Sequence, residues 1–424
     1  MRVLIICYML PPALYPTSIQ MPRLMAHLER EEIGAVSGNV AVMATGLECY
    51  ADFNRKLAFD TNADFHTRLS GIWLLLARRY LPFYARVPDE FRGWIPRAEA
   101  AIAKKLDETG FLPDVLITFS EPMTDHLLGF RLKRKLGIPW VAQFSDPWAD
   151  SPFRRGQFLA NIVNRRLERK IIAAADRIVF TSQETVDLVM RKYPAEWRNK
   201  ADVVVHGFDP KLYPPRTQKP AKLTVRYIGH FYGHRTPLPL FRALETILRE
   251  APTLLDGVQV ELVGRVQRWI RWHPAFRKLP RGLVRLEPSV PYMESLKLMA
   301  EADLLLVIDI PEPFSVLLHS KLIDYIGAGV PIMGIAPRGT SASLISRLGG
   351  FVADPLHHGD IVAQLRRAIT FIRDRRRAID PAPWGNPAVR AEYHIDRVAA
   401  DFSRIVHEAA QMSLGPNGRR NLRF

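Results

Sequence analysis

Short apolar runs recur along this chain, and most are followed by an amphipathic stretch. RVLIICY (2–8) precedes IQMPRLMAHLERE (19–31), and DVLITFS (114–120) precedes HLLGFRLKRKLG (126–137). PWVAQFSD (139–146) precedes NIVNRRLERKIIAAAD (161–176), and RIVFTS (177–182) precedes QETVDLVMRKY (183–193). Strands that are apolar throughout have no face for water, so each needs cover on both sides. Intervening helices supply that cover only if the strands run parallel. VAVMATG (40–46) reads as a further strand, AEAAIAKKLDETG (98–110) as a helix stopped by glycine, and ADVVVHGFD (201–209) closes the series. Residues 47–70 are a polar excursion without a periodic signal.

PKLYPPRTQKPAK (210–222) is rich in proline and lysine and poor in apolar residues, the composition of a linker. The alternation then restarts. LTVRYIGH (223–230), VQVELVG (258–264), LVRLEPS (283–289), LLLVIDI (304–310) and VPIMGIA (330–336) read as strands. LPLFRALETILREA (238–251), YMESLKLMAEAD (292–303), GTSASLISRLG (339–349) and HHGDIVAQLRRAITFIRD (357–374) read as helices. AVRAEYHIDRVAADFSRIVHEAAQM (388–412) has helical spacing throughout. The expected domains are therefore 1–210, a linker at 211–222, and 223–385. Beyond these come a helix over 386–412 and a disordered basic tail at 413–424.

Composition removes several classes. With 424 residues, 48% hydrophobic, the chain can form two cored domains. Two cysteines exclude a disulfide scaffold and favour a reducing compartment. No apolar run reaches the roughly 18–20 residues that span a bilayer. VLIICYML lacks a basic lead and is followed by Pro11-Pro12, so it reads as a buried first strand rather than a leader. The net charge of +16 suits nucleic acid, anionic membrane or phosphorylated ligands, or reflects a general basic bias.

HSKLIDYIGAGVPI (319–332) carries the most chemistry. It puts Lys321 and Asp324 one turn apart near a helix start, after a buried strand and a short loop. Free N–H groups and the helix dipole make such a start a seat for an anion. A carboxylate one turn in can hold a diol, as ribose is held in nucleotide sites.

The order of motifs resembles that of retaining glycosyltransferases of the GT-B fold, family 4. A Pro-Pro loop follows the first strand, and SEP and SDPW loops follow later ones. HGFDPKLY (206–213), YIGHFYGHR (227–235), ELVGR (261–265), VPYMESLKLMAEAD and SKLIDYIGAGVPI come in the family's sequence. The resemblance implies an α/β fold of two Rossmann-like domains with a central cleft. The last helix would cross back to the N-terminal domain. It also implies a nucleotide-sugar donor held by the second half without a metal or other cofactor.

On that resemblance Arg235 and Lys321 neutralise the diphosphate, and Gly229 and His230 frame it. His230 stands where the family has an arginine. Gly264, Arg265 and Pro291 frame the base, and Ser315 and Ser320 are further donor-binding candidates. Asp324 takes the ribose, at the place of the second glutamate of an E-x7-E motif. The first acid would fall at position 316, which is Val316. Glu312 is out of register, and either contacts the sugar or is solvated. Thr17 and Ser18 replace a glycine pair that lets backbone amides approach the diphosphate.

In the first half, Arg23, Ser120, Glu121 and Trp148 are candidates for binding the acceptor. Asp146 and His126, with Glu312 of the second half, are the catalytic candidates, and Asp146 and Trp148 are candidates for orienting the acceptor. The bland alternatives are a surface arginine, turn chemistry at Asp-Pro and a structural histidine. GIWLLLARRYLPFYAR (71–86) and FRRGQFLANIVNRRLERK (153–170) set apolar anchors beside arginines, as an interfacial segment does. The function expected is sugar transfer to a hydroxyl of a glycan or lipid-linked acceptor in cell-envelope or exopolysaccharide synthesis. Its place would be the cytoplasm or the inner face of the membrane. A non-catalytic scaffold and an epimerase or hydrolase on the same fold are the rivals. A nucleic-acid role lacks aromatic or zinc motifs.

Overall fold

The computed structural model describes residues 1–10, 15–27, 32–37, 59–60, 87–89, 91–154, 158–214, 220–377 and 382–412. The chain divides into two compact units. One comprises Met1–Gly207 with Ile395–Phe424, the other Phe208–His394.

The first unit holds a seven-stranded sheet, parallel throughout. Its strands are β1 (Arg2–Ile6), β2 (Glu32–Ser37), β3 (Phe59–Asp60), β4 (Val115–Phe119), β5 (Trp140–Phe144), β6 (Arg177–Phe180) and β7 (Ala201–Val203), in the order β3-β2-β1-β4-β5-β6-β7. β1 pairs with β4 from Val3↔Val115 to Ile6↔Thr118. β4 and β5 are buried at every position, as an inner parallel strand must be. One face packs on helices Ile95–Thr109 and Thr124–Leu136 through Ile95, Ala98, Ile102, Leu128 and Leu132. The other face packs on helix Ile395–Gln411, whose Val398, Ala399, Phe402, Ile405, Val406 and Ala409 follow the helical period.

The second unit repeats the arrangement with β8 (Leu223–Ile228), β9 (Val258–Val263), β10 (Val284–Glu287), β11 (Leu304–Ile308), β13 (Ile332–Ile335) and β15 (Phe351–Ala353). The order is β10-β9-β8-β11-β13-β15, again all parallel. A two-strand ribbon, β12 (Phe314–Ser315) with β14 (Arg338–Gly339), stands apart from it. Both sheets turn back on themselves beside their first strand, between β1 and β4 and between β8 and β11. Loops leaving such neighbouring strands diverge and open a crevice at the strand C-termini, where ligands of this architecture bind.

The structure departs from the sequence expectations at a few elements. A strand lies at Glu32–Ser37, whereas the expected strand at 40–46 falls outside the described residues. EIGAVS has a central glycine and polar ends, so its short apolar content gave no signal. β15 is only three residues long and was equally silent. The expected helix at 388–412 is two, Pro387–Glu392 and Ile395–Gln411, broken at Tyr393–His394. The chain changes unit at that break, which the helical period does not reveal. The first crossing falls at Gly207, three residues before the expected end of the first domain at 210. Segments 71–86 and 413–424 lie outside the described residues.

Candidate functional site

In the second unit, Gly229, His230, Arg235, Gly264, Arg265 and Lys321 come together at the ends of β8 and β9. β8 ends at Gly229, whose φ is +141°. A Cβ there would come within 2.5 Å of the Lys321 Nζ, so only glycine lets the lysine lie across this turn. Lys321 sits in the first turn of helix Ser320–Ala328, which stops at Gly329 in the left-handed region. Its ammonium is buried 3.8 Å above the Tyr227 ring centroid and has no hydrogen-bond partner among the described residues. Burial, with the Arg235 charge beside it, pushes the Lys321 pKa well below the usual lysine range. A cation held this way, among helix-start amides, is poised for an anion.

Arg235 is buried close by. It donates to Tyr232 Oη at 3.2 Å and to Asp309 Oδ1 at 3.1 Å, and its Nε has no partner among the described residues. Asp309 also lies 2.9 Å from His319 Nε2. Burial raises the Asp309 pKa, but the His319 and Arg235 charges and the Ile310 N–H outweigh it, so the carboxyl stays far below its ordinary range. His319 itself is lowered, because burial outweighs the pull of Asp309. Sequence reasoning missed Asp309 and His319. The signal was present in an acid ending an otherwise apolar strand and a histidine opening HSK.

His230 is exposed, and its Nδ1 accepts from the Arg265 N–H at 3.2 Å. Burial and the cations Arg265 and Lys321 lower its pKa, so it acts as a neutral loop clasp. Gly264, φ +131°, packs so tightly that a Cβ would lie 2.1 Å from Gly229 O. Pro291 is exposed at the cap of helix Tyr292–Glu301. Asp324 is buried and accepts from the Tyr292 hydroxyl at 3.0 Å, while Tyr213 Oη donates to the Asp324 carbonyl at 3.0 Å. Ser315, Ser320 and Glu312 are half-buried, with Ser315 Oγ accepting from Leu317 N–H at 3.3 Å. Val316 is buried, and its carbonyl accepts from Thr340 Oγ1.

The first unit corrects several expectations. His126 is wholly buried against Phe144 and Trp140, with Thr118 Oγ1 2.7 Å from its Nδ1. Burial lowers its pKa to about 3, so it is a neutral core residue rather than one facing a cleft. Trp148 is also wholly buried, donating to Asn164 Oδ1 at 3.0 Å. The SDPW loop is fastened further by Ala149 N–H on the buried Glu168. Arg23 is buried and donates to Gly207 O at 3.1 Å, so its charge serves the chain where it leaves this unit.

Ser120 is buried too. Its Oγ accepts from Ser145 N–H and its carbonyl from Ser145 Oγ and Thr17 Oγ1, tying the ends of β4 and β5 to the first helix. The Ser18 hydroxyl is taken by Tyr15 N–H and O at the start of helix Pro16–Ala26. These side chains spend their polar groups on holding the first unit together. Asp146 is half-buried and Glu121 exposed, in the loops that follow β5 and β4. Among the described residues, no cluster of three or more His, Cys, Asp or Glu could hold a metal.

Known structures share this architecture over most of the chain. Anabaena HepE, solved with UDP and glucose, matches with a TM-score of 0.62 at 15% identity, over 96% of this chain and 100% of that one. Sucrose-phosphate synthase from Thermosynechococcus elongatus matches with a TM-score of 0.65 at 15% identity, over 97% and 100%. The chain has the GT-B fold. Residues 60–206 match the glycosyl transferase 4-like domain family. The D-inositol 3-phosphate glycosyltransferase of Streptomyces avermitilis is 26% identical over 201 residues, 44% of this chain and 42% of that protein. The match thus spans less than half of that relative. In GT-B terms, the cluster around Lys321 lies at the strand ends of the second Rossmann-like unit.

Proposed function

We propose that the protein is a retaining glycosyltransferase that takes a sugar from a nucleoside diphosphate to a hydroxyl of a glycan or lipid-linked acceptor, in envelope or exopolysaccharide synthesis. The observation that carries this reading is the buried Lys321 ammonium, without a hydrogen-bond partner among the described residues, beside Arg235 at the β8–β11 divergence. Buried charge is costly unless a partner arrives, and a diphosphate brings about two negative charges. Asp324 and the Gly264 turn are assigned to ribose and base. The likenesses to a UDP-bound structure and to a sugar-phosphate synthase support a nucleotide-sugar donor.

In this reaction the leaving diphosphate accepts the acceptor's proton on the same face as the attack. The chain's part is to position the partners and hold the departing charge. Asp146 and Glu121 are the first-unit acids assigned to orient an acceptor. Peripheral membrane residence suits a lipid-linked acceptor. Phe158 and Leu159 are 76% and 57% exposed, on the helix that carries the exposed Arg165 and Arg166. No helix among the described residues is long and apolar enough to cross a membrane.

A screen of nucleoside diphosphate sugars tests the proposal, read by mass as released nucleoside diphosphate and by melting temperature. At least one donor should be consumed, and its nucleoside diphosphate should raise the melting point. A rise without consumption would favour the non-catalytic reading, which Val316 at the first acid position supports. No response to any donor sinks the donor site.

A further inference from the structure

The loop after β9 carries a surface that the donor site does not use. Beyond Arg265, from Val266 to Leu286, the chain has five arginines, one lysine and no acid. Within it, Arg268–Trp272 forms a 3-10 helix. With three residues per turn, side chains three apart stand in line. Ile270 faces the body and is wholly buried, and Gln267, three before it, donates to the Arg235 carbonyl at 3.1 Å. That leaves two outward ridges, Arg268 with Arg271 and Trp269 with Trp272. Trp269 is 47% and Trp272 73% exposed, and all four side chains face solvent. The Arg277 guanidinium lies 5.8 Å from the Trp272 ring centroid. Lys278 is paired to Glu245 at 2.9 Å, so the arginines carry the excess charge.

Two exposed tryptophans side by side are not ordinary surface. Their rings gain by leaving water, yet each keeps an N–H that needs a polar partner. The headgroup plane of a bilayer satisfies both needs. Arginines beside them find lipid phosphates while their stems lie along the apolar boundary. A nucleic-acid strand would call for a groove along its backbone, whereas this is a protruding double ridge pinned at its base.

We infer that the Arg268–Trp272 ridge docks the second unit on an anionic lipid surface. The tryptophans enter the headgroup layer, and Arg268, Arg271 and Arg277 meet the lipid phosphates. The inference does not depend on the donor-site reading, since none of these five side chains belongs to that site.

Flotation of the full chain with phosphatidylcholine vesicles, with and without phosphatidylglycerol, tests it. The protein should float with the anionic vesicles only, and high salt should release it. Trp269→Ser with Trp272→Ser, and separately Arg268→Glu with Arg271→Glu, should each cut partitioning about tenfold or more. Their melting point and their response to nucleoside diphosphate should stay as in the parent, because the altered groups are exposed. Phe158→Ser with Leu159→Ser, in the first unit, serves as the comparison and should leave the effect of the ridge changes intact. Ridge variants that float like the parent would overturn the assignment, as would equal binding to uncharged vesicles. Tighter binding to a single-stranded oligonucleotide, lost in the same variants, would also overturn it.

Discussion

At Lys321, burial and charge oppose each other. Its folded pKa lies below that of the unfolded chain, about 10.4. Between those two values the unfolded state binds the extra proton, so this residue makes stability rise with pH. Below both values its ammonium is buried without a hydrogen-bond partner among the described residues. Lys321→Met should therefore stabilise the empty protein at neutral pH by about 1 kcal/mol or more, read as a higher melting point. It should also flatten the alkaline rise in stability and abolish the stabilisation by nucleoside diphosphate. A variant that melts lower and still responds to the nucleotide would refute this view of the residue. Lys321 was legible because a lysine in the first turn of a helix runs against the dipole and asks for an explanation. His126, Trp148, Arg23 and Ser120 were not legible. Their sequence neighbours are compatible with a loop or a helix surface, and only the packing of other strands encloses them.

At the scale of the element, the site depends on two turns pressed together. Gly229 N–H donates to Val263 O and Gly264 N–H to Glu287 O, so each strand end is held by its neighbour while the glycines touch across the gap. Gly264→Ala puts a methyl against Gly229 O at a φ that alanine avoids. It should cost about 2–3 kcal/mol and weaken nucleotide binding, whereas Gly233→Ala, with open space around its Cβ, should cost less. Thermal melts of the two variants, with and without nucleotide, check this. Equal melts would show that the turns yield. Strand and helix existence was largely readable, since apolar runs and glycine stops such as Gly110, Gly137 and Gly329 mark it locally. The short strands Glu32–Ser37 and Phe351–Ala353 were not, because their pairing partners rather than their own residues make them strands.

Across the whole molecule, the repetition of a parallel α/β unit was foreseeable from the restart of alternation after the proline-rich segment. The exact place where the chain changes unit was not. It is set by tertiary contacts such as Gly207 against Ile395, where a Cβ would sit 2.8 Å from the isoleucine side chain. The two units also predict an uneven response to ligand. Hydrogen exchange with saturating nucleoside diphosphate should slow chiefly in 227–235, 264–266 and 309–324. The core amides of β4 and β5 should be little affected. Protection spread evenly over both sheets, or confined to the first, would contradict a donor site in the second.

Asp309 matters most after the proposed transfer, when the spent diphosphate has to leave. Its carboxylate already holds Arg235 before any ligand arrives, so a diphosphate must compete for that guanidinium and never has its whole charge. The same competition operates in reverse once the sugar has gone. Arg235 has a ready partner to return to, which lowers the barrier to escape for a product that the ammonium of Lys321 would otherwise detain. A site built only of cations would bind faster than it could empty; an internal anion lets this one be reused.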